Sequence, residues 1–425
     1  MSGRYLQQVS LLSGPGHDPE PADVLLLDGV IVATGVEAAD RAAAHALEPL
    51  NASGWLLAPA LVDPHSLLED PHTGTAETLA SLERSAIAAG YGTVALLPQA
   101  RPWRDHPASL SLPAASSGLN LLLWGSLSRG GAGQELAPHA DQLAAGAIGL
   151  AEGTATPPLP LLERALSLGE MGEAPLLLAP RDPALSQQGF VRDSVETLRA
   201  GWPADPAISE TLPLQALLSL QRLHPRRRLQ LMNLSTAEAV QQLTALPAGE
   251  RPGATVCWWH LLADSGSLDP TAEGWRLEPP LGGPRDRCAL REGLQAGVLT
   301  AVAVHHQALD PEEQLLPLDQ RKPGVAGHRF VLSSLWQELV VSGGWSVGEL
   351  WQVLCFGPAA LLGLTPPAIA AGSRDWLLFD PRQSWQPRGD GLGPLAANQP
   401  LLAAEQCGQV IAVGLSPELW RGPSP

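Results

Sequence analysis

From about residue 57 to about residue 304, short apolar runs alternate with longer stretches whose apolar residues recur at helical spacing. The short runs are Leu57–Val62, Tyr91–Pro98, Leu119–Gly125, Ala147–Leu150, Ala174–Ala179, Leu229–Leu234, Ala254–Trp259 and Thr300–Val304. Each has the length of a buried strand. The stretches Glu77–Ala89, Leu161–Leu168 and Thr236–Leu246 place their apolar residues on one helical face. Such alternation implies a parallel sheet, because parallel neighbours are joined only by crossovers. Eight strand units favour a closed (β/α)8 barrel, an α/β TIM-barrel fold, over an open doubly wound sheet. No glycine-rich phosphate loop opens any helix.

The chain ends are patterned differently. Asp23–Gly35 reads as strand, Asp28-Gly29 turn and strand, the signature of a hairpin. Asp375–Pro381 and Gln409–Gly414 are further strand candidates. Residues 1–57 and 366–425 are therefore predicted to form one small composite β-sandwich domain, and residues 58–365 the barrel.

Charge narrows the partners. The chain has 26 Lys+Arg against 43 Asp+Glu, a net charge of −17. That balance argues against nucleic acid and against anionic membrane. The single lysine, Lys322, lies on a Pro/Gly-rich loop. Cys257, Cys288, Cys355 and Cys407 are scattered, without a Cys-x-x-Cys pair, as expected of free thiols in a reducing compartment. The N-terminal residues lack a long apolar stretch, and no apolar run reaches the roughly 18 residues of a membrane span. A cytoplasmic location is expected.

The chemistry concentrates at predicted strand ends. Leu61-Val-Asp-Pro-His closes the first strand. Ala88-Ala-Gly-Tyr-Gly-Thr-Val, Leu97-Pro-Gln, Ala145-Gly-Ala-Ile-Gly, Leu234-Ser-Thr-Ala-Glu, Glu278-Pro-Pro-Leu, Gly324-Val-Ala-Gly and Arg374-Asp-Trp-Leu-Leu-Phe-Asp-Pro follow in order. Together these segments resemble the long, amidohydrolase-type dihydroorotases over most of the chain. The resemblance implies a zinc-dependent barrel that opens or closes a cyclic amide in pyrimidine biosynthesis, using zinc-bound hydroxide and a carboxylate base.

At the positions to which the resemblance assigns that machinery, this chain departs from it. His65 stands at the first His ligand, and Leu67 at the second. Glu69 replaces the arginine that binds the substrate carboxylate, which reverses the sign at an anion site. Gln99 stands for the substrate-binding asparagine. Ala179 and Asn233 stand at the two later His ligands. His305, followed by His306, stands where the catalytic Asp is implied, Gly282 replaces a second arginine and Leu309 a further His. Glu152 sits where the family carries an acidic ligand or a carboxylated lysine, and the lysine is ruled out because Lys322 is far away in the chain.

The vestigial site thus comprises Asp63, His65, Gln99, Asn233, His305 and His306, with no catalytic residue assigned and no cofactor or metal predicted. The resulting expectation is a catalytically inactive dihydroorotase-like protein. By the resemblance it would be a structural partner of aspartate carbamoyltransferase, or a homo-oligomer. Two alternatives stay open. One is an active cyclic amidohydrolase with zinc in a rebuilt site of His65, Glu152 and His305, since the first and last strands of a closed barrel are neighbours. The other is a small-molecule binding protein that uses the relic pocket. Asp63 next to Pro64 reads as a structural turn residue. Cys257 with His260 offers a thiol and a base but no visible orienting group. Trp258-Trp259 suggests a plugged mouth or a stacking platform, and Arg226-Arg227-Arg228 a solvated loop or a dock for an acidic partner.

Overall fold

In a computed structural model, residues 3–71, 73–112, 118–267 and 276–422 are described. The barrel strands are Leu61–Ser66, Tyr91–Leu96, Asn120–Leu123, Leu150–Ala151, Pro175–Leu178, Arg228–Leu231, Gly253–Cys257 and Ala301–Ala303. Each pairs in parallel with the next, and the third reaches the fourth through the short extension Gly125–Ser126. The ring closes between the last and first strands. His305 N–H donates to the His65 carbonyl at 3.1 Å, and Leu67 N–H to the His306 carbonyl at 2.8 Å. The fold is therefore an α/β (β/α)8 barrel, with its strand-end residues converging at one mouth.

Most of the predicted strands are shorter in the structure, two of them for a visible reason. Leu119–Gly125 is interrupted at Trp124, whose buried indole N–H turns away to donate to the Pro64 carbonyl at 3.0 Å. The run ending at Trp259 leaves the sheet after Cys257 and enters a 3-10 turn, Trp258–Leu261.

The helix Ile208–Leu223 is not among the predicted helices. Pro213 lies inside it, and proline removes the N–H that would bond four residues back. The carbonyl left over belongs to Ser209, and it accepts instead from the Asp182 N–H at 2.8 Å. The break that proline normally causes is thus satisfied from another segment.

Both chain ends share one eight-stranded sheet. Its order is Ser416–Trp420, Gln406–Val413, Trp376–Trp385, Leu56–Pro59, Gly3–Leu11, Glu20–Leu27 and Val30–Thr34, with Pro49–Asn51 beside Gly3–Leu11. Because side chains alternate along a strand, Leu377 and Phe379 join the barrel core while Trp376 and Leu378 join a second core with Leu6, Trp55 and Ile411. The sheet passes into the barrel at Ala60.

The helix Leu79–Ala88 starts on a capping box: Ser81 N–H donates to Thr78 Oγ1 at 3.2 Å and Thr78 N–H to Ser81 Oγ at 3.0 Å. Thr78→Ala should cost about 1 kcal/mol in urea denaturation; an unchanged midpoint would mean that solvent caps this end equally well. Among the described residues no helix is long and apolar enough to cross a membrane.

Candidate functional site

The first strand ends in Asp63-Pro64-His65-Ser66, all fully buried or nearly so. Alternation sends Asp63 and His65 to the inside, but they serve different contacts. Asp63 accepts from the Val304 N–H at 3.0 Å and pairs with His328 Nε2 at 3.0 Å, and it also accepts from the Ser66 hydroxyl. Ser66 Oγ in turn accepts from the His306 N–H at 2.9 Å. Asp63 therefore ties the first strand to the last; it lies within the strand Leu61–Ser66 and not in the turn expected from its place beside Pro64.

His65 reaches the opposite way. Its Nε2 lies 2.9 Å from Thr255 Oγ1, and its Nδ1 lies 3.1 Å from His305 Nδ1. Thr255 Oγ1 also accepts from the Asn233 N–H at 2.9 Å, and its alternative acceptor, the Leu231 carbonyl, is 3.5 Å away. At that distance a hydrogen bond is weak, so the hydroxyl donates to His65 Nε2. It follows that His65 donates from Nδ1 to His305 Nδ1, and that His305 carries its proton on Nε2. Burial holds both imidazoles well below their usual range, His305 down to about 4, so both are neutral.

The space in front of this pair is a cavity of about 10 Å³, room for about one water molecule. Ala179, Met232, Asn233, His305, Arg181 and Glu278 line it. His305 Nε2 and Asn233 Oδ1 have no hydrogen-bond partner among the described residues. Asn233 and His305 also keep a left-handed backbone, with φ of 53° and 47°, a conformation that non-glycine residues seldom adopt away from constrained sites.

The mouth beside the cavity is closed by buried ion pairs. Arg181 bonds Asp205 at 2.6 Å and Glu278 at 3.1 Å; Arg192 bonds Asp205 at 3.1 Å and Glu210 at 2.8 Å. Next to them, Trp258 and Trp259 pack edge to face with centroids 5.1 Å apart, both buried. Neither lines the cavity, so the indoles fill the interior and offer no stacking platform.

Of the six residues predicted for the vestigial site, His65, Asn233 and His305 come together through Thr255. The other three do not join them. Gln99 is half-buried after the second strand and does not line the cavity. His306 turns to Glu77, Nε2 to Oε2 at 3.1 Å, with its ring beside His328. Asp63 faces His328. The rebuilt site of His65, Glu152 and His305 is not assembled: Glu152 accepts from both the N–H and the hydroxyl of Ser128, and burial raises its carboxyl. Cys257 and His260 form no dyad. The thiol, pushed up to about 12 by burial, lies 3.9 Å from the Val304 carbonyl, and His260 Nε2 bonds the Pro279 and Pro280 carbonyls. Glu69 sits on the outer rim, ion-paired with Arg101 at 3.2 Å. Arg227 and Arg228 bond backbone carbonyls of neighbouring loops, and Arg226 is exposed.

Zinc does not fit this donor set. Ligation needs a free lone pair on nitrogen, sulfur or oxygen. His65 has both nitrogens engaged, Glu152 is held by Ser128, and Leu67 and Ala179 have no donor atom. Among the described residues no cluster of three or more His, Cys, Asp or Glu side chains is arranged to hold a metal.

No family model matches the chain. A probable dihydroorotase-like protein from Synechocystis is 33% identical over 394 residues, covering 84% of this chain and 87% of that protein. The chain belongs to the dihydroorotase-like family. A dihydroorotase from Solibacter usitatus is 27% identical over 86% of this chain and 85% of its own length. A dihydroorotase-like protein from Pseudomonas aeruginosa is 28% identical over 86% and 89%. Among solved structures, the L-hydantoinase from Arthrobacter aurescens superposes with a TM-score of 0.78 over 97% of this chain and 95% of its own, at 18% identity. That likeness concerns the fold, which this dihydroorotase-like chain shares end to end, composite β-domain included.

Arg181, Glu210 and Thr255 are the site residues that the sequence did not reveal. Arg181 follows Ala179 in Leu177-Leu-Ala-Pro-Arg, so a buried cation there had a signal: an arginine two residues beyond a strand end. Thr255 had none, since a threonine in a strand is ordinary.

Proposed function

We propose that this chain is a non-catalytic dihydroorotase-like protein, and that it acts as a structural partner of aspartate carbamoyltransferase. The observation that carries the first part is the cavity at the strand ends. At about 10 Å³ it has room for about one water and none for a six-membered cyclic amide. Its walls supply the wrong chemistry as well. Hydrolysis of an amide at neutral pH needs an activated water and a base; burial holds His305, the imidazole that lines the cavity, at about 4, too low for an effective base at that pH, and its Nδ1 is bonded to His65. The partnership rests on the family resemblance, and on a barrel and β-domain that are kept whole while the mouth is filled.

The test is direct. The protein purified from zinc-supplemented cells should show no dihydroorotate–carbamoyl aspartate interconversion above background, and elemental analysis should find zinc well below one per chain. Metal-dependent turnover on the order of 1 s⁻¹, an enzyme-like rate, would overturn the reading. Sedimentation of the chain mixed with aspartate carbamoyltransferase should give a joint boundary; independent sedimentation of the two would remove the partnership while leaving the catalytic question to the assay.

A further inference from the structure

A second, larger pocket lies between the chain that follows the first barrel strand and the chain that follows the last. Its volume is about 210 Å³, against about 10 Å³ for the cavity at His305, and the two share no lining residue. Leu67, Leu68 and Leu309, all buried, form its apolar part. Five carboxyl groups line it, those of Glu69, Asp70, Glu77, Asp310 and Glu313, against two cations, Arg101 and Lys322. Leu67, Glu69 and Leu309 stand where the resemblance places a His, an anion-binding arginine and a further His. Three changes have thus turned this wall from basic to apolar and acidic.

Both cations already have partners. Arg101 pairs with Glu69 at 3.2 Å, and Lys322 bonds Glu313. That bond, and after it the charge of nearby Glu69, holds the Lys322 ammonium above the ordinary lysine range. The chain's only lysine therefore already seats an alkylammonium in this pocket, on a side chain that is 50% exposed and has solvent to swing into. Asp310 accepts from the Glu313 N–H at 2.8 Å and from the Thr75 hydroxyl at 3.1 Å, and these bonds hold its carboxyl below the usual range. A carboxylate has about four acceptor positions, so Glu69, Asp310 and Glu313 keep capacity for further donors. Among the described residues no three such groups converge on one point as a metal ion requires. The walls suit an organic cation whose charges are spaced along an apolar body.

We propose that this pocket binds a short aliphatic diamine. One ammonium takes the place of Lys322 at Glu313 and Glu69, the other bonds Asp310, and the methylenes between them lie on Leu67, Leu68 and Leu309. The volume is enough for roughly seven water-sized groups, which matches a chain of four or five carbons with a nitrogen at each end. A dicarboxylate would meet an excess of negative charge, five carboxyls against two cations. A small metal ion would gain nothing from the leucines. Lys322 is then an internal competitor, and its removal opens the site. Because the pocket is separate from the cavity at His305, the proposal holds whether or not the barrel turns over a substrate.

Isothermal titration calorimetry of the full chain at low salt, run at two temperatures, tests it. 1,4-Diaminobutane should bind at one site with a dissociation constant below about 1 mM, and succinate should not bind. Lys322→Gln should tighten diamine binding about threefold, and Glu69→Gln should weaken it about fivefold, the size expected of single charges at a half-exposed rim. Glu69→Arg should abolish it. Circular dichroism and urea midpoints should match the wild type in all three variants, since both positions are about half exposed. Magnesium chloride at matched ionic strength should leave the diamine titration unchanged. Absence of diamine binding at both temperatures, binding of succinate, displacement of the diamine by magnesium, or weaker binding by Lys322→Gln would each overturn the proposal.

Discussion

Glu210→Ala is expected to lower the unfolding free energy by about 3–5 kcal/mol, the cost typical of breaking a buried ion pair from one side. Glu210 is 1% exposed and accepts five hydrogen bonds. One comes from Arg192 at 2.8 Å; the others come from the backbone and hydroxyl of Ser235, at 3.1 and 2.5 Å, and of Thr236, at 3.1 and 2.7 Å. Thr236 is also the N-cap of the helix Ala237–Thr244. Alanine would strand two buried N–H groups and two hydroxyls, and would leave Arg192 with one of its two ion pairs, that to Asp205. Each unsatisfied buried donor is expensive because water cannot reach it. Glu210→Gln keeps the shape but turns an NH2 towards donors, so its loss should be intermediate. Urea denaturation of the three proteins measures the series. A loss below about 1 kcal/mol for the alanine variant would mean that the network relaxes onto solvent and does not hold the mouth shut.

Acid should unfold this protein early. His260 and His305 are fully buried, and desolvation brings each from 6.5 down to about 4. In the unfolded chain both protonate near 6.5. Above that pH their contribution to stability is complete. As pH falls the unfolded state binds protons that the folded state refuses, so stability drops by about 1.4 kcal/mol per pH unit for each imidazole, until the folded values are reached. The two together predict a loss of about 3 kcal/mol between pH 6.5 and 5. His65, also buried and lowered, acts in the same direction. The raised carboxyls of Glu152 and Asp286 have the opposite sign: their contribution to stability is lost as pH rises, so they offset part of this slope. Urea midpoints at pH 7 and pH 5 check the prediction, and His305→Gln should flatten the slope. A midpoint that does not move between these values would mean that the folded barrel accepts the protons.

The sequence revealed the frame and one side of the site. The alternation of strand and helix favoured a closed barrel over an open sheet, and a closed barrel makes the first and last strands neighbours. His65 and His305 could therefore meet, and in the structure their Nδ1 atoms lie 3.1 Å apart. What they do on meeting was not legible, because it depends on Thr255, a residue type that says nothing by itself. Glu152 was expected to supply an oxygen to the pair, yet Ser128, on the neighbouring loop, takes both carboxylate oxygens. The charged lock of Arg181, Arg192, Asp205 and Glu210 was invisible for a similar reason: its members lie on a loop, on the two short paired strands Val191–Arg192 and Ala204–Asp205, and on a helix that Pro213 concealed. Strand patterns report which face is buried. They do not report which of several polar groups at a strand end will find one another.

The composite sheet has a consequence for the newly made chain. Leu56–Pro59 pairs with Trp376–Phe379, and Trp55 donates to Asp380, 325 residues later, at 2.8 Å. At translation rates of about 5–20 residues per second, the first of these segments waits roughly 15–60 s for the second to be synthesised. Throughout that interval the apolar edge Leu56-Leu57-Ala58 lacks its later neighbour, while the barrel strands that follow it are already emerging in order. Ribosome-associated chaperones would therefore find a long-lived client surface at Leu56-Leu57-Ala58, and synthesis of Trp376–Phe379 would release it.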